Sequence, residues 1–143
     1  MNATIERFGY PATLIAEYDH WVVLLRPAQP TLGSLILAAK GEYRALSDLP
    51  AAAFEEMRDA VGAIETTLAK AVDYRKLNYL MLMMVDPHVH YHVIPRYEGE
   101  RSFGPITLGD AGWPKLPELG EATILDGPQI SLLAGWLKEL WPA

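Results

Sequence analysis

Residues 86–97 read Asp-Pro-His-Val-His-Tyr-His-Val-Ile-Pro-Arg-Tyr. Three of the four histidines in the chain stand here, at 88, 90 and 92. Val89, Tyr91, Val93 and Ile94 between and after them are good strand formers. Side chains alternate faces along a strand, so His88, His90 and His92 are expected on one face, roughly 6.5–7 Å apart. That spacing lets three imidazoles serve one polyanionic ligand or one proton relay. A polar strand face without a role is the plain alternative, and three histidines in register weigh against it.

Two chemistries fit such a row. A neutral imidazole is a good nucleophile toward phosphorus, and flanking imidazoles can donate hydrogen bonds to phosphate oxygens and move a proton. Alternatively, His-x-His on a strand can ligate zinc. Three imidazoles on one straight strand do not converge easily on a tetrahedral ion, and neither Asp86 nor Glu98 stands at a convincing spacing to complete such a site.

Upstream, residues 4–25 read as an opening hairpin, with strands at Thr13–Tyr18 and Trp21–Leu25 and a turn at Asp19-His20. Trp21–Leu25 is apolar on both faces, the pattern of a doubly covered central strand. Arg26–Gly33 carries two prolines and reads as a loop, followed by a strand over Ser34–Ala39. Residues 50–73 form the clearest helix. Ser47 or Asp48 is a candidate cap, and Phe54, Met57, Val61, Ile64, Leu68 and Ala71 make an apolar stripe. Lys76–Val85 reads as a strand that joins the histidine strand through a short turn at Asp86-Pro87.

Beyond Glu98 the pattern changes. Residues 99–128 are rich in Gly and Pro, with Trp113 between Gly112 and Pro114, and are consistent either with a flap or dimer arm or with a surface loop. A short helix closes the chain at 128–140. The length, 143 residues with half of them apolar, suits a single domain spanning 1–143.

Composition narrows the function. With no cysteine, disulfide scaffolds, thiolate zinc sites and cysteine nucleophiles are excluded. No signal core and no long apolar run is visible, so neither a leader nor a membrane span is expected. A net charge of −6 argues against broad nucleic-acid or anionic-membrane binding. An anionic small molecule then needs locally concentrated positive charge, for which Arg26, Lys40, Arg96 and Arg101 are candidates.

At His88-Val89-His90-Tyr91-His92-Val93-Ile94, with Pro95-Arg96 following, the chain resembles the histidine-triad (HIT) superfamily of nucleotide hydrolases and transferases. The resemblance extends over residues 4 to about 101. It implies an α+β fold, an antiparallel sheet of about five strands with one long helix packed on it and a short C-terminal helix. It also implies a homodimer with a sheet continuous across the subunits, a purine nucleoside phosphate ligand of the AMP type, and a cytoplasmic location. His90 would be the nucleophile toward the α-phosphorus, forming a nucleotidyl-histidine, with His88 and His92 binding phosphate and orienting it. Arg26, Ser34, Asn78 and Arg96 would contact the nucleotide. No metal or other cofactor is required for this chemistry.

Two departures set up a rival reading. Many relatives carry a further histidine where this chain has Ser34, and a Gly-Gln-containing stretch where it has Met84-Val85-Asp86-Pro87. A nucleotide-binding protein of the same fold with little catalysis is the alternative.

Overall fold

A computed structural model describes all of residues 1–143. The chain opens with a helical turn, α1 (Ala3–Arg7), capped by the Asn2 side chain, which accepts from the Ile5 amide. The expected opening hairpin therefore begins later than residue 4. Asn2 also donates to the carbonyls of Ala39 and Gly41, so a short polar side chain pins α1 to the sheet. Strands β1 (Leu14–Glu17) and β2 (Trp21–Leu25) follow, then β3 (Ala28–Gln29), β4 (Leu35–Ala39) and the long helix α2 (Ala51–Val72). After these come β5 (Lys76–Leu80) and β6 (His90–Arg96).

These elements build a five-stranded sheet, every pair antiparallel, in the order β1-β2-β4-β6-β5. Strand alternation divides its residues. Trp21, Val23, Leu25, Leu35, Leu37 and Val93 face α2 and the C-terminal helix in the main core. Val22, Leu24, Ile36 and Ala38 face the other way, where Ile5 and Phe8 of the N-terminal segment cover them. All five residues of β2 are buried, as expected of a strand covered on both faces.

Helix α2 matches its expected span but not its expected stripe. The buried face is Ala53, Ala60, Ala63, Ile64, Thr67, Leu68 and Val72, whereas Phe54 is exposed. Small alanines let the helix lie close on the sheet, and the Trp21 indole donates 2.7 Å to the Ala53 carbonyl across that contact. Larger side chains such as Met57 and Val61 pack at its margin. Pro50 occupies the N-cap position, without help from Ser47 or Asp48.

The strand expected over Lys76–Val85 stops at Leu80. Residues 81–89 form a loop instead of a tight turn, with Met83 in the left-handed region at φ 50° and Leu82, Met84 and Val85 exposed. The histidine strand starts at His90, so His88 lies just before it.

The Gly/Pro-rich tail is laid down in order. Strands β7 (Glu100–Phe103) and β8 (Ile106–Gly109) form a hairpin, β9 (Thr123–Ile124) pairs with β3, and α3 (Gly127–Leu140) packs on the sheet. Asp126 and Gln129 form a reciprocal capping box at the start of α3. The Trp136 ring stacks on Phe103 at 4.3 Å, and the Trp141 indole donates to the Tyr18 hydroxyl. No helix is long and apolar enough to cross a membrane.

Candidate active site

His90 and His92 alternate with Tyr91 on β6 and sit opposite Ala38 and Ile36 of β4, so their rings share the sheet face away from α2. The two rings are 5.1 Å apart, and Phe8 packs against both, tilted over His90 at 5.4 Å and edge-on to His92 at 5.8 Å. They form the floor of a cavity of about 270 Å³ whose walls are Phe8, Arg26 and the loop from Leu82 to Asp86. A larger cavity, about 550 Å³, lies between β1, α2 and the chain end and contains no histidine.

Each imidazole is held in a defined state by its neighbours. His90 Nδ1 is 2.7 Å from the main-chain carbonyl of His88. A carbonyl only accepts, so Nδ1 carries the proton and Nε2 is left with its lone pair. Nε2 makes no hydrogen bond within the chain.

His92 Nδ1 accepts from Arg26 Nε at 3.2 Å, which puts its proton on Nε2. Burial, the Arg26 guanidinium and the neighbouring His90 together hold its pKa down at about 4. His92 is therefore a neutral hydrogen-bond donor at physiological pH.

His88 turns away from the cavity. Its Nε2–H donates 2.7 Å to the Glu42 carboxylate, and Nδ1 of the neutral ring accepts from the Thr4 hydroxyl at 2.8 Å. The three imidazoles are thus not equivalent: two face the cavity, and the first anchors the main chain that orients the second.

The lowered pKa of His92 has a definite consequence. Below pH 6.5 the unfolded chain takes up a proton that the folded chain refuses until about pH 4. Stability therefore falls across that window as the pH drops, by on the order of 3 kcal/mol. The His92 imidazole carbons are expected to show no titration between about pH 5 and 8 in NMR spectra. Arg26→Met removes the second cause, so the midpoint moves upward; an unmoved midpoint would mean that burial alone sets it.

Arg26 sits at the end of β2, and the loop after it is tied by Gln29. The Gln29 amide donates to the carbonyls of Arg26 and Ser34 and accepts from the amides of Gly33 and Ser34. The turn needs Gly33, whose φ is 99°. Thr31 donates to the Pro95 carbonyl and so docks the loop on β6.

The other sequence candidates are placed elsewhere. Ser34 is fully buried inside this loop, donating to Thr31. Lys40 pairs with Glu17 at 2.8 Å. Arg101 donates to the carbonyls of Val72 and Asp73 at the end of α2 and lies over the Tyr97 ring. Asn78 and Arg96 bond to each other at the far end of β6 from the histidine cavity. Of the four candidate cations, only Arg26 reaches the histidines.

Sequence reasoning missed Thr4, Phe8 and Glu42, which stand 84, 82 and 46 positions from their histidine contacts at 88, 90 and 88. Their residue types carry no local signal. It also missed the loop. Leu82 to Asp86 border the cavity, and their main-chain N–H groups make no hydrogen bond within the chain.

The model of the HIT domain family matches residues 7–99. Among solved structures, a histidine triad (HIT) protein from Sinorhizobium meliloti 1021 is similar at 20% identity and TM-score 0.74, covering 97% of this chain and 94% of that one. A histidine triad protein from Bradyrhizobium japonicum is similar at 15% identity and TM-score 0.69, over 99% and 96% of the two chains. The diadenosine triphosphate hydrolase of Plasmodium falciparum is similar at 11% identity and TM-score 0.68, over 90% and 76%. No curated protein matches the chain.

Proposed function

Because the chain belongs to the HIT domain family, whose members generally act as nucleotide hydrolases or transferases, we propose that it cleaves a nucleoside phosphoanhydride or phosphoramidate through a nucleotidyl-histidine. The observation that carries this reading is the 2.7 Å contact from His90 Nδ1 to the His88 carbonyl, which leaves the Nε2 lone pair free at the cavity floor. In the proposed reaction Nε2 attacks the α-phosphorus of a purine nucleotide. The N–P bond forms as the bond to the leaving group breaks, and that electron pair departs with the leaving group. The imidazole becomes cationic, and the His88 carbonyl stabilises it through Nδ1–H. Water then attacks the same phosphorus and loses a proton to solvent, the N–P bond breaks, and its electrons return to His90 Nε2.

Arg26 and the His92 Nε2–H supply donors to the phosphate oxygens. The unpaired amides of Leu82 to Asp86 supply more, main-chain donors standing in for polar side chains. His88 takes a positioning role, through the carbonyl that its Glu42 and Thr4 contacts hold in place.

A homodimer formed through a sheet continuous across subunits is part of this proposal. Such an assembly runs at twice the chain mass in light scattering, and a monomer at working concentration would remove it.

Rapid quenching at neutral to alkaline pH during turnover of a dinucleoside polyphosphate should trap an acid-labile adduct, one nucleoside monophosphate heavier, on the peptide containing His90. Turnover without any such adduct would point to direct attack by water. An absence of both adduct and turnover, with AMP still bound, would favour the nucleotide-binding alternative.

A further inference from the structure

The tail segment around Trp113 builds a second cavity, about 260 Å³, lined by Lys76, Asn78, Arg96, Trp113, Lys115 and neighbouring prolines. It opens on the same face of the sheet as the histidines. Even-numbered residues of β6 share that face, and Asn78 and Lys76 stand opposite Ile94 and Arg96. Arg96 lies four residues beyond His92, roughly 13 Å along the strand.

The chemistry of this groove is one-sided. No carboxylate lines it, although the whole chain carries a net charge of −6. Asp110 is fully occupied by Arg96, which it binds through two oxygens at 2.7 and 3.1 Å. Arg96 in turn donates to the Asn78 side-chain oxygen at 2.8 Å. An arginine only donates, so this bond fixes the amide orientation and leaves the Asn78 NH2 free. The ammonium groups of Lys76 and Lys115 and the Trp113 indole N–H also make no hydrogen bond or ion pair within the chain.

The wall carrying Trp113 is tied down. Asp110 accepts from the Gly112 amide, its carbonyl accepts from the Trp113 amide, and the Gly112 carbonyl accepts from Lys115. A Cβ at Gly112 would fall 2.0 Å from the Leu116 carbonyl oxygen, so this fold of the chain requires glycine.

Two unpaired ammoniums, an amide donor and an indole suit an anion that carries a flat ring. Lysines act as point charges for phosphate, and an indole stacks on a base without selecting which base. We propose that this groove binds a second nucleoside phosphate, the leaving half of a dinucleoside polyphosphate whose first nucleotide is held at His90. The assignment of that half as a leaving group rests on the proposed function above. The attacked P–O bond lies between the two sites, and its electrons depart with the nucleotide in the groove.

The test is NMR titration of the full chain with ATP at low ionic strength, following the Trp113 indole proton and the His90 and His92 imidazoles. Two sites per chain are expected. Trp113→Ala with Lys115→Ala, at a half-buried and an exposed position, should weaken the indole-side site by ~10-fold or more and raise KM for diadenosine tetraphosphate by a similar factor. Lys115→Ala alone, which removes one exposed charge and keeps the indole, should weaken it less. Shifts confined to the imidazoles, or unchanged affinity in both variants, would overturn the inference and leave the histidine chemistry standing. Shifts confined to the indole would support the groove and undo the nucleotidyl-histidine proposal. If inorganic tripolyphosphate binds as tightly as ATP and Trp113→Ala changes nothing, the ring is not read and the nucleotide assignment fails.

Discussion

His90→Asn is expected to lower kcat by ~10⁴-fold or more, the scale on which covalent nucleophiles matter, while the fold changes by no more than about 1–2 kcal/mol. The asymmetry follows from where its two nitrogens point. Nδ1 is structural, bonded to the His88 carbonyl, and an asparagine amide can still donate there. Nε2 bonds to nothing in the chain and is the atom that the proposed chemistry consumes. His92→Asn should cost less, about 10- to 10³-fold, because it removes a donor to the phosphate and not the attacking atom. The double variant should be little worse than His90→Asn alone, since a donor aimed at a transition state that no longer forms contributes nothing. Single-turnover rates with the same dinucleoside polyphosphate distinguish these cases. Equal losses at His90 and His92 would mean that neither ring is the nucleophile.

The five-stranded sheet and the long helix were legible because their signals are periodic and local: an all-apolar run at Trp21–Leu25 and a stripe of threes and fours from 51 to 72. The expected stripe shares Ile64 and Leu68 with the buried face but not Ala53, Ala60 and Ala63, small residues whose burial carries little apolar signal, and Phe54 lies outward. Lys76–Val85 looked like one strand since its apolar residues continue past Leu80. Only three dimensions reveal that Leu82, Met84 and Val85 leave the sheet to border the histidine cavity. The row of histidines is legible as a cluster, and the resemblance singles out His90 as the nucleophile. Strand alternation puts all three rings on one face, but His88 precedes the strand and bonds to Glu42 and Thr4. The resemblance implies that Arg96 and Asn78 contact the nucleotide beside the histidines, and both lie on the β5–β6 pair. Register along that pair carries them to the opposite end, where a tail with no periodicity supplies Asp110.

That tail partner makes the second large prediction. Asp110→Ala should destabilise the fold by about 3–5 kcal/mol, because it leaves the buried Arg96 guanidinium without a counter-charge. The side chains are only 5% and 1% exposed, so water cannot replace the lost carboxylate. The same carboxylate also accepts from the amides of Tyr97 and Gly112, and both donors lose their partner in the variant. A melting temperature lower by about 10–20 °C is expected for a chain of this size. The cost lies in the unpaired charge more than in the pair itself, and this separates the ion pair from generic packing. Asp110→Leu combined with Arg96→Met removes both charges and should recover much of the loss, although Asn78 and the two amides stay without their partners. If the double variant melts below Asp110→Ala, the pair is worth more than its desolvation costs. If Asp110→Ala melts within a degree or two of the wild-type protein, the Trp113 segment is not held by this ion pair, and the ordered wall of the second groove loses its physical basis.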